Sequence, residues 1–261
     1  MSEWSEKLFI RRADLSLKIM NLRWPHTERI VEGMVKILGG YDIDTGNVLD
    51  LCCGNGRIST HFAKKGFNAV GVDFSKPYLD DARRLAEEYG VSDSVEFVEG
   101  DVRDLKEVLK DHAVKFDVVV SAWTSIGYTT FEDDLSVFKQ ARELSTDGSI
   151  LFVIETMHMG RASLIKSDRS FVEFDEIMLL DHSTYDPVSS IQASSWTFYR
   201  KKGEDLEYVD RLDYKVHIYS LRELSSMLDQ AGWRVDAFYG DISTLQSMSP
   251  YTSMNIVARA K

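Results

Sequence analysis

Two glycines and an acid follow the first strongly apolar segment of the chain, in the stretch VLDLCCGNGR from Val48 to Arg57. Because Gly54 and Gly56 have no side chains, a ligand can approach the backbone of this turn closely. A dinucleotide-binding turn would have a third glycine three residues further on, where this chain has Ser59. Asp50 lies inside the strand end before the turn, and its negative charge favours a ligand with a cationic group over a pyrophosphate.

Acidic and apolar residues also stand at the ends of the next two predicted strands. Asp73, in GVDFS, is placed to accept hydrogen bonds from both hydroxyls of a ribose. Asp101, in EGDVRDL, is placed to accept from the amino group of an adenine, while Phe74 and Val102 can lie against the two ring faces. Each acid alone is more often a helix cap or a loop residue. Such residues at successive strand ends favour a nucleoside-containing ligand in the crevice beyond the sheet.

The segments that position these residues alternate between strands and helices. The first five predicted strands are Val48–Leu51, Phe67–Val72, Val95–Glu99, Phe116–Ser121 and Ser149–Thr156. The predicted helices are Ser2–Met20, Pro25–Leu38, Arg57–Lys65, Lys76–Tyr89, Asp104–Lys110 and Glu132–Leu144. The continuous apolar run of the fourth strand is typical of a strand covered on both faces. This alternation predicts a doubly wound, mostly parallel α/β sheet.

Residues 158–217 lack helical spacing and interrupt this alternation. Two stretches of period-2 patterning flank a predicted hairpin turn at Lys202–Asp205, which indicates an antiparallel insertion of two or three strands. A helix with a capping box formed by Ser220 and Glu223 follows. The last two predicted strands are Arg234–Tyr239 and Asn255–Ala260. The main sheet is therefore expected to have seven strands.

The composition limits the partners of the chain. Forty-two acidic against thirty-one basic residues give a net charge of −11 over 261 residues, and no basic run offsets it, so a nucleic-acid substrate is disfavoured. The N-terminal stretch MSEWSEKLF lacks the apolar core of a secretory signal, and no apolar run could cross a bilayer, which predicts a cytoplasmic protein without a membrane partner. Cys52 and Cys53 are adjacent, so neither a disulfide framework nor a metal site is predicted.

With these motifs the chain resembles the class I S-adenosylmethionine-dependent methyltransferases. DLCCGNGR resembles their first motif, GVDFS their second and EGDVRDL their third. The first motif usually has glycine where this chain has Cys52. The resemblance covers essentially the whole chain and is closest to a small-molecule branch with an antiparallel insertion after the fifth strand. Three further segments resemble that branch: TSIGY at Thr124–Tyr128, YGD at Tyr239–Asp241 and SPY at Ser249–Tyr251.

The resemblance implies a role for each matching residue. The methionine part of S-adenosylmethionine would be held by Asp50, the Cys52 backbone, Gly54 and Gly56. Asp73 would bind the ribose. The adenine would lie among Phe74, Asp101 and Val102, and Ser121 would lie near the reacting end. A sulfonium ion with an ammonium group also explains the acids, which a pyrophosphate would not.

The resemblance also implies three regions. Residues 1–40 would form an N-terminal helical lid, with Arg11, Arg12 and Trp24 folding over the cofactor. Residues 41–157 and 218–261 would form the Rossmann-like cofactor domain. Residues 158–217 would form an antiparallel β insertion that covers the substrate side.

Substrate-side residues are expected after the fourth and fifth strands. His158 is the histidine predicted to face the crevice, so it is the first candidate for a general base, although a histidine after a strand is more often a hydrogen-bonded loop residue. Tyr128 is the second candidate, with core packing as its other interpretation, and Trp123 and Glu155 are nearby candidates. Aromatic residues of the insertion are expected to line an acceptor pocket or to pack on the main domain: Tyr185, Trp196, Tyr199, Tyr208 and Tyr214.

Several functions remain open from the sequence. The leading hypothesis is methyl transfer to nitrogen or oxygen of a small-molecule acceptor, with a homodimer left open. A tRNA or protein methyltransferase is an alternative, although SAWT stands where base-amino methyltransferases have an N-P-P-Y type motif. A non-catalytic S-adenosylmethionine-binding regulator is another alternative. A nicotinamide-dependent oxidoreductase is disfavoured by Ser59 and Asp50.

Overall fold

A computed structural model describes residues 3–123, 125–164 and 168–261 of the chain. Its main sheet begins with β1 (Asn47–Leu51), β2 (Asn68–Asp73), β3 (Val95–Glu99), β4 (Phe116–Ala122) and β5 (Ser145–Thr156). The insertion holds β6 (Asp168–Phe174), β7 (Ile177–Asp186), β8 (Ile191–Lys202) and β9 (Asp205–His217), and the chain ends with β10 (Trp233–Tyr239) and β11 (Met254–Ala260).

Seven of the strands in the described residues form one sheet in the order β10-β11-β5-β4-β1-β2-β3. Strands β1 to β5 pair in parallel, and β11 is antiparallel to both of its neighbours. The predicted doubly wound, mostly parallel seven-stranded sheet is confirmed. The order reverses at β1, between β2 and β4, and an open α/β sheet binds its ligand at such a point.

The helices are α1 (Glu3–Glu6), α2 (Ala13–Asn21), α3 (Trp24–Gly39), α4 (Arg57–Lys64), α5 (Lys76–Glu88), α6 (Leu105–Val108), α7 (Phe131–Glu143), α8 (Met159–Ala162) and α9 (Leu221–Gln230). A π-helical segment, Lys7–Arg11, joins α1 to α2. The predicted capping box at the start of α9 is present, since Glu223 N donates to Ser220 Oγ and Ser220 N to Glu223 Oε2.

Both faces of the main sheet are covered, as the apolar run of β4 predicts. Val118 and Val120 pack on one side with residues of α3 and α4, whereas Val119 packs on the other side with residues of α6, α7 and α9. This double burial is what a parallel sheet requires. Helix α3 therefore belongs to a layer of the main domain by its packing, although residues 1–40 were expected to act together as a lid.

The insertion has four antiparallel strands in the order β6-β7-β8-β9, so the expectation of two or three strands is wrong. The turn between β8 and β9 lies at Gly203, within the predicted hairpin, and Gly203 has φ +64°. The two other turns contain Asp175 at φ +48° and Ser190 at φ +56°. Because these turns use non-glycine residues in a conformation that usually marks glycine, the sequence did not separate β6, β7 and β8.

Candidate active site

The turn after β1 adopts left-handed backbone at alternate residues, with φ of +54° at Cys52, +56° at Gly54 and +70° at Gly56. A glycine at the first of these positions, as the family motif usually has, would avoid the steric cost that Cys52 bears. A Cβ on Gly56 would lie 2.5 Å from the Phe97 ring. Gly56 therefore permits close packing of the turn against β3, and its predicted contact with the cofactor stays a prediction.

Asp73 holds this turn to the end of β2. Its Oδ2 accepts a hydrogen bond from Gly54 N at 2.9 Å, and its Oδ1 accepts from Ser75 N at 2.9 Å. Burial raises the pKa of Asp73 to about 6, and the backbone N–H groups oppose this rise. Each carboxylate oxygen keeps a second lone pair, so the carboxylate is oriented by the backbone and can still accept from a ligand.

Two adjoining cavities, together called the strand-end cleft, lie at the carboxyl ends of β1, β2, β3 and β4. They share Phe9, Cys52, Phe74, Ser125 and Tyr128 in their walls. Among the described residues, the cleft brings together seven of the predicted cofactor residues: Cys52, Gly54, Asp73, Phe74, Asp101, Val102 and Ser121. Thr124, in the TSIGY segment, lies outside the described residues.

The described residues that line the strand-end cleft do not include Asp50 or Gly56. The Asp50 carboxylate is buried and accepts from Ser59 Oγ at 2.7 Å and Ser59 N at 3.2 Å. It therefore satisfies a backbone donor in the first turn of α4, in the manner of a helix cap. Burial raises the pKa of Asp50 to about 6. Its contact with the methionine part of the cofactor stays a prediction.

Arg103 holds Asp101, a partner that the sequence analysis did not identify. Arg103 Nε lies 3.0 Å from both carboxylate oxygens, and Arg103 N donates to Oδ1 at 3.0 Å. The hydrogen bonds from Arg103 lower the pKa of Asp101. Arg103 follows Asp101 by two residues, a spacing that is too common in sequences to have indicated this pair.

Residues 3–21 cover the strand-end cleft. Ser75 Oγ donates to the Phe9 carbonyl at 2.5 Å, and the Phe9 and Phe74 ring centroids are 5.7 Å apart. Met20 presses against the glycine turn, since a Cβ on Gly54 would lie 2.9 Å from Met20 Sδ. The glycine at this position thus permits close approach of the covering segment as well as of a ligand.

The three residues expected to fold over the cofactor lie elsewhere. Arg11 pairs with Glu6 on the surface, and Arg12 pairs with Asp210 of the insertion. Trp24 packs against the rings of His61 and Tyr89. The cover is made by the apolar side chains of residues 3–21, which no motif in the sequence marked.

A side pocket opens beside the cleft, between the main domain and the insertion. Trp123, Tyr128 and Trp196 line both this side pocket and the cleft. Further walls of the side pocket include Met157, Gln192, Tyr214, His217 and Tyr219. Tyr128 lines both cavities of the cleft and the side pocket, so it lies where the two spaces meet.

The structure places His158 away from this meeting point. His158 is 4% exposed, and its Nε2 donates to the Thr252 carbonyl at 3.1 Å. Among the described residues His217, rather than His158, lines the side pocket. The His217 ring centroid lies 4.5 Å from that of Tyr219. In the sequence His217 marks only the end of the predicted insertion, and no motif around it indicates a pocket residue.

Glu155, a predicted substrate-side residue, is engaged by two arginines. Arg23 Nη1 lies 3.2 Å from Glu155 Oε1, and Arg57 Nη2 lies 2.5 Å from Glu155 Oε2. Arg23 also stacks on the Trp123 ring at 4.8 Å from the ring centroid. Burial lowers the pKa of Arg23, and the Glu155 carboxylate opposes that effect. These contacts fix the start of α3 and the end of β5 beside the side pocket.

The strand order, the antiparallel β11 and the cleft at the reversal point define the Rossmann-like fold of class I methyltransferases. Residues 48–148 match the family model described as a methyltransferase domain. A putative methyltransferase, YqeM, from Bacillus subtilis (strain 168) is 26% identical over 205 residues, covering 77% of this chain and 78% of the relative. Shorter stretches match putative ribosomal RNA large subunit methyltransferases.

Solved structures share the fold over most of the chain. An S-adenosylmethionine-dependent methyltransferase from Clostridium acetobutylicum ATCC 824 has a TM-score of 0.76 at 15% identity and covers 98% of this chain and 96% of its own. CalS10, an amino pentose methyltransferase from Micromonospora echinaspora solved with bound cofactor, has a TM-score of 0.67 at 15% identity and covers 88% and 90%. The methyltransferase-domain match over residues 48–148 identifies the chain as an S-adenosylmethionine-dependent methyltransferase, with S-adenosylmethionine as its cofactor, and the solved structures show that it has the class I fold.

No helix in residues 3–123, 125–164 and 168–261 combines the length and the hydrophobicity needed to cross a membrane.

Proposed function

We propose that the enzyme transfers a methyl group from S-adenosylmethionine to nitrogen or oxygen of a small-molecule acceptor bound in the side pocket. The observation that carries this proposal is the common wall of Trp123, Tyr128 and Trp196 between the cleft and the side pocket. Because the same three residues line both spaces, the two spaces adjoin, and a cofactor in one can transfer its methyl group directly to an acceptor in the other. Structural relatives include an amino pentose methyltransferase and a sugar N-methyltransferase, which is consistent with a small acceptor.

The cleft residues fit the cofactor. In this proposal Asp73 accepts hydrogen bonds from the ribose hydroxyls with the lone pairs that the backbone leaves open. Phe74 and Val102 lie against the adenine, and Asp101, oriented by Arg103, accepts from its amino group. Gly54, the Cys52 backbone and Ser121 line the path toward the side pocket, whereas Asp50 and Gly56 act indirectly by holding the turn.

When bound, S-adenosylmethionine supplies a methyl group that is activated by the positively charged sulfur, and S-adenosylhomocysteine is the product that remains. The enzyme must place the acceptor atom behind the methyl carbon, and such alignment contributes about 7–11 kcal/mol in favourable cases. Residues 3–21 exclude water from the cleft, which strengthens local electrostatic interactions. The acceptor nitrogen or oxygen loses one proton as it takes up the methyl group.

His217 is the proposed recipient of that proton, and Tyr128 is proposed to orient the acceptor at the meeting point. Burial and its hydrogen bond to Thr252 leave His158 poorly placed for this role. Burial, followed by the nearby Asp73 carboxylate, raises the pKa of the Cys52 thiol, so this cysteine stays neutral beside the cofactor. A thiolate nucleophile at the turn is therefore not part of the mechanism.

A polymeric acceptor is the second candidate, since shorter stretches of the chain match putative ribosomal RNA methyltransferases. The net charge of −11 and the closure of the cleft by residues 3–21 both favour the small acceptor over an RNA. A panel that includes transcribed tRNA and rRNA fragments beside small amines and phenols separates the two. Methyl transfer to the RNA alone would reject the small-molecule proposal.

The cofactor assignment is tested by calorimetry. Wild-type protein should bind S-adenosylmethionine and not NAD, and Asp73→Ala should weaken the affinity at least ~10-fold, because a buried charge-assisted hydrogen bond is lost. Asp236→Ala, on the exposed side of β10, is the matched control and should bind as the wild type does. Equal affinity of Asp73→Ala and wild type would remove Asp73 from the cofactor site.

A further inference from the structure

The inner face of the insertion carries buried polar atoms that have no partner in the protein. Among the described residues, eight buried side-chain N or O atoms lack a hydrogen bond, and three of them are Tyr185 OH, Gln192 Oε1 and Trp196 Nε1. Gln192 and Trp196 both line the side pocket. Tyr185 is 8% exposed and pairs directly with Gln192 across β7 and β8. Buried polar groups are nearly always hydrogen-bonded, so three such atoms on one face indicate a missing ligand.

A chain of hydrogen bonds fixes which atom of the Gln192 amide faces the pocket. Ser183 Oγ lies 3.0 Å from Asp181 Oδ1 and 2.8 Å from Ser194 Oγ, which lies 3.2 Å from Gln192 Nε2. The Asp181 carboxylate accepts, so Ser183 donates to it and accepts from Ser194. Ser194 then has no hydrogen left for Gln192 and must accept from its Nε2. The amide oxygen is therefore left to accept from a ligand.

Trp196 presents a hydrogen-bond donor to the side pocket, whereas Gln192 presents an acceptor. An indole N–H can only donate, so its ligand partner must be an oxygen or nitrogen with a lone pair. Residues 192 and 196 of β8 point to the same side, since side chains alternate along a strand. The side pocket thus presents one acceptor and one donor at separate points along a single strand.

The rest of the side pocket is uncharged and aromatic. None of the described residues that line it is an Asp, Glu, Lys or Arg. Trp123, Tyr128 and Tyr214 supply ring surfaces, which suit the C–H faces of a saturated ring. A flat phenolic ring would contact the same surfaces, yet it would have few groups to pair with both Gln192 and Trp196.

We propose that the side pocket recognises a polyhydroxylated ring, with Gln192 and Trp196 as the residues that determine specificity. Gln192 Oε1 accepts from an O–H or N–H of the ring, and Trp196 Nε1 donates to one of its oxygens. Tyr185 does not line the pocket, and its unpaired OH lies on the strand beside Gln192. This inference rests on the proposed function, because it assigns the class of acceptor to the same pocket.

The test compares Gln192→Met and Trp196→Phe with wild type, and Thr197→Val on the other face of β8 is the control. Release of S-adenosylhomocysteine is measured with amino hexoses and amino pentoses, with matched analogues that each lack one hydroxyl, and with phenols. Binding of methyl α-D-glucopyranoside to the S-adenosylhomocysteine complex is measured by ligand-observed NMR. Calorimetry with S-adenosylmethionine is run on every variant.

Each pocket variant should lower kcat/KM for a hydroxylated sugar by about 10-fold, and the preference over its deoxy analogue should fall with it. Affinity of Gln192→Met for S-adenosylmethionine should stay within about twofold, since Gln192 lines the side pocket and not the cleft. Gln192→Met should lower the thermal midpoint only slightly, because it removes one hydrogen bond to Ser194 Oγ while the amide oxygen has no partner to lose in the free protein. A mainly structural role for Gln192 would instead lower the midpoint strongly and leave the sugar preference unchanged.

Unchanged sugar preference in both variants would overturn the inference, as would turnover of phenols without turnover of sugars. Wild-type protein that binds S-adenosylmethionine but shows neither turnover nor saturable binding of any sugar would overturn it too. Those results leave methyl transfer to another small acceptor intact. Failure of the wild-type protein to bind S-adenosylmethionine would reject the cofactor site itself, together with everything proposed for the pocket.

Discussion

At the scale of single residues, the carboxylates at the strand ends have different surroundings and therefore different properties. Asp73 and Asp50 are buried, and burial raises the pKa of each to about 6. Asp101 lies beside Arg103, whose hydrogen bonds lower its pKa. Sequence spacing identified all three acids, but it could not show that Asp50 faces Ser59, because the direction of a side chain depends on the fold around it.

The raised pKa of Asp73 makes cofactor affinity depend on pH. The ribose hydroxyls favour the ionised carboxylate, so binding is strongest above about pH 6, where Asp73 is already ionised in the free protein. Below that pH a proton must be lost on binding, and the affinity should fall by at most ~10-fold per pH unit for this one group. Calorimetry between pH 5 and pH 8 with S-adenosylmethionine measures the effect, and an affinity that rises on acidification would contradict it.

The two histidines near the end of the sheet give a paired test of the proton acceptor. His217→Gln should lower kcat at least ~10-fold with a hydroxyl acceptor, since positioned bases typically contribute 10²–10⁴-fold. His158→Gln should leave kcat with the same acceptor unchanged, although it removes a buried hydrogen bond. The opposite pattern would restore the original prediction that His158 is the base.

At the scale of secondary-structure elements, two glycines of α3 have different surroundings: one is in a close helix–loop contact and the other faces open space. A Cβ on Gly33 would lie 2.1 Å from the Ile242 carbonyl oxygen, whereas nothing lies within 4 Å of a Cβ on Gly39. Helix α3 therefore approaches the loop after β10 so closely that only glycine fits at the contact. This contact joins the N-terminal region to the C-terminal part of the main domain.

Alanine substitutions at these glycines should have opposite effects. Gly33→Ala should lower the free energy of unfolding by at least ~1–3 kcal/mol, because the backbone must move to relieve the clash. Gly39→Ala should raise it by about 0.5–1 kcal/mol, since alanine favours helix and loses less entropy on folding. Urea denaturation of the two variants measures both values, and a stable Gly33→Ala protein would show that α3 can shift.

Element by element, the main sheet could be predicted because hydrophobic pattern and turn residues agreed there. The run at β4 and the capping box of α9 each carry a local signal that the fold preserves. The insertion could not be divided correctly, because Asp175 and Ser190 make its turns with non-glycine residues at positive φ. Phe9 and Met20, which line the cleft, were not identified from the sequence, because the apolar pattern of a helix does not show which surface its residues contact.

At the scale of the whole molecule, residues 3–21 connect the cleft to the insertion. Leu8 and Leu15 pack in one cluster with Phe174, Phe198 and other residues of the insertion. Lys7 and Arg12 both pair with Asp210 on β9, at 2.8 Å and 2.7 Å. Residues 3–21 and the insertion therefore form one packed unit beside the strand-end cleft and the side pocket.

Cofactor binding should slow hydrogen exchange in this covering segment. Amide groups of residues 3–21 should exchange at least severalfold more slowly with S-adenosylhomocysteine bound, because opening of the cover then exposes a filled cleft and costs additional free energy. Amides of β10, far from the cleft, serve as the internal control. Equal protection with and without the product would show that the cover does not respond to the cleft.

The Asp210 contacts also predict an order of substrate binding and product release in each turnover. Residues 3–21 are joined to the insertion through the ion pairs of Lys7 and Arg12 with Asp210. We therefore expect an acceptor bound in the side pocket to keep residues 3–21 closed over the cleft. The nucleoside must then load first and depart last, so steady-state kinetics should be ordered, with S-adenosylhomocysteine competitive against S-adenosylmethionine and the methylated product non-competitive.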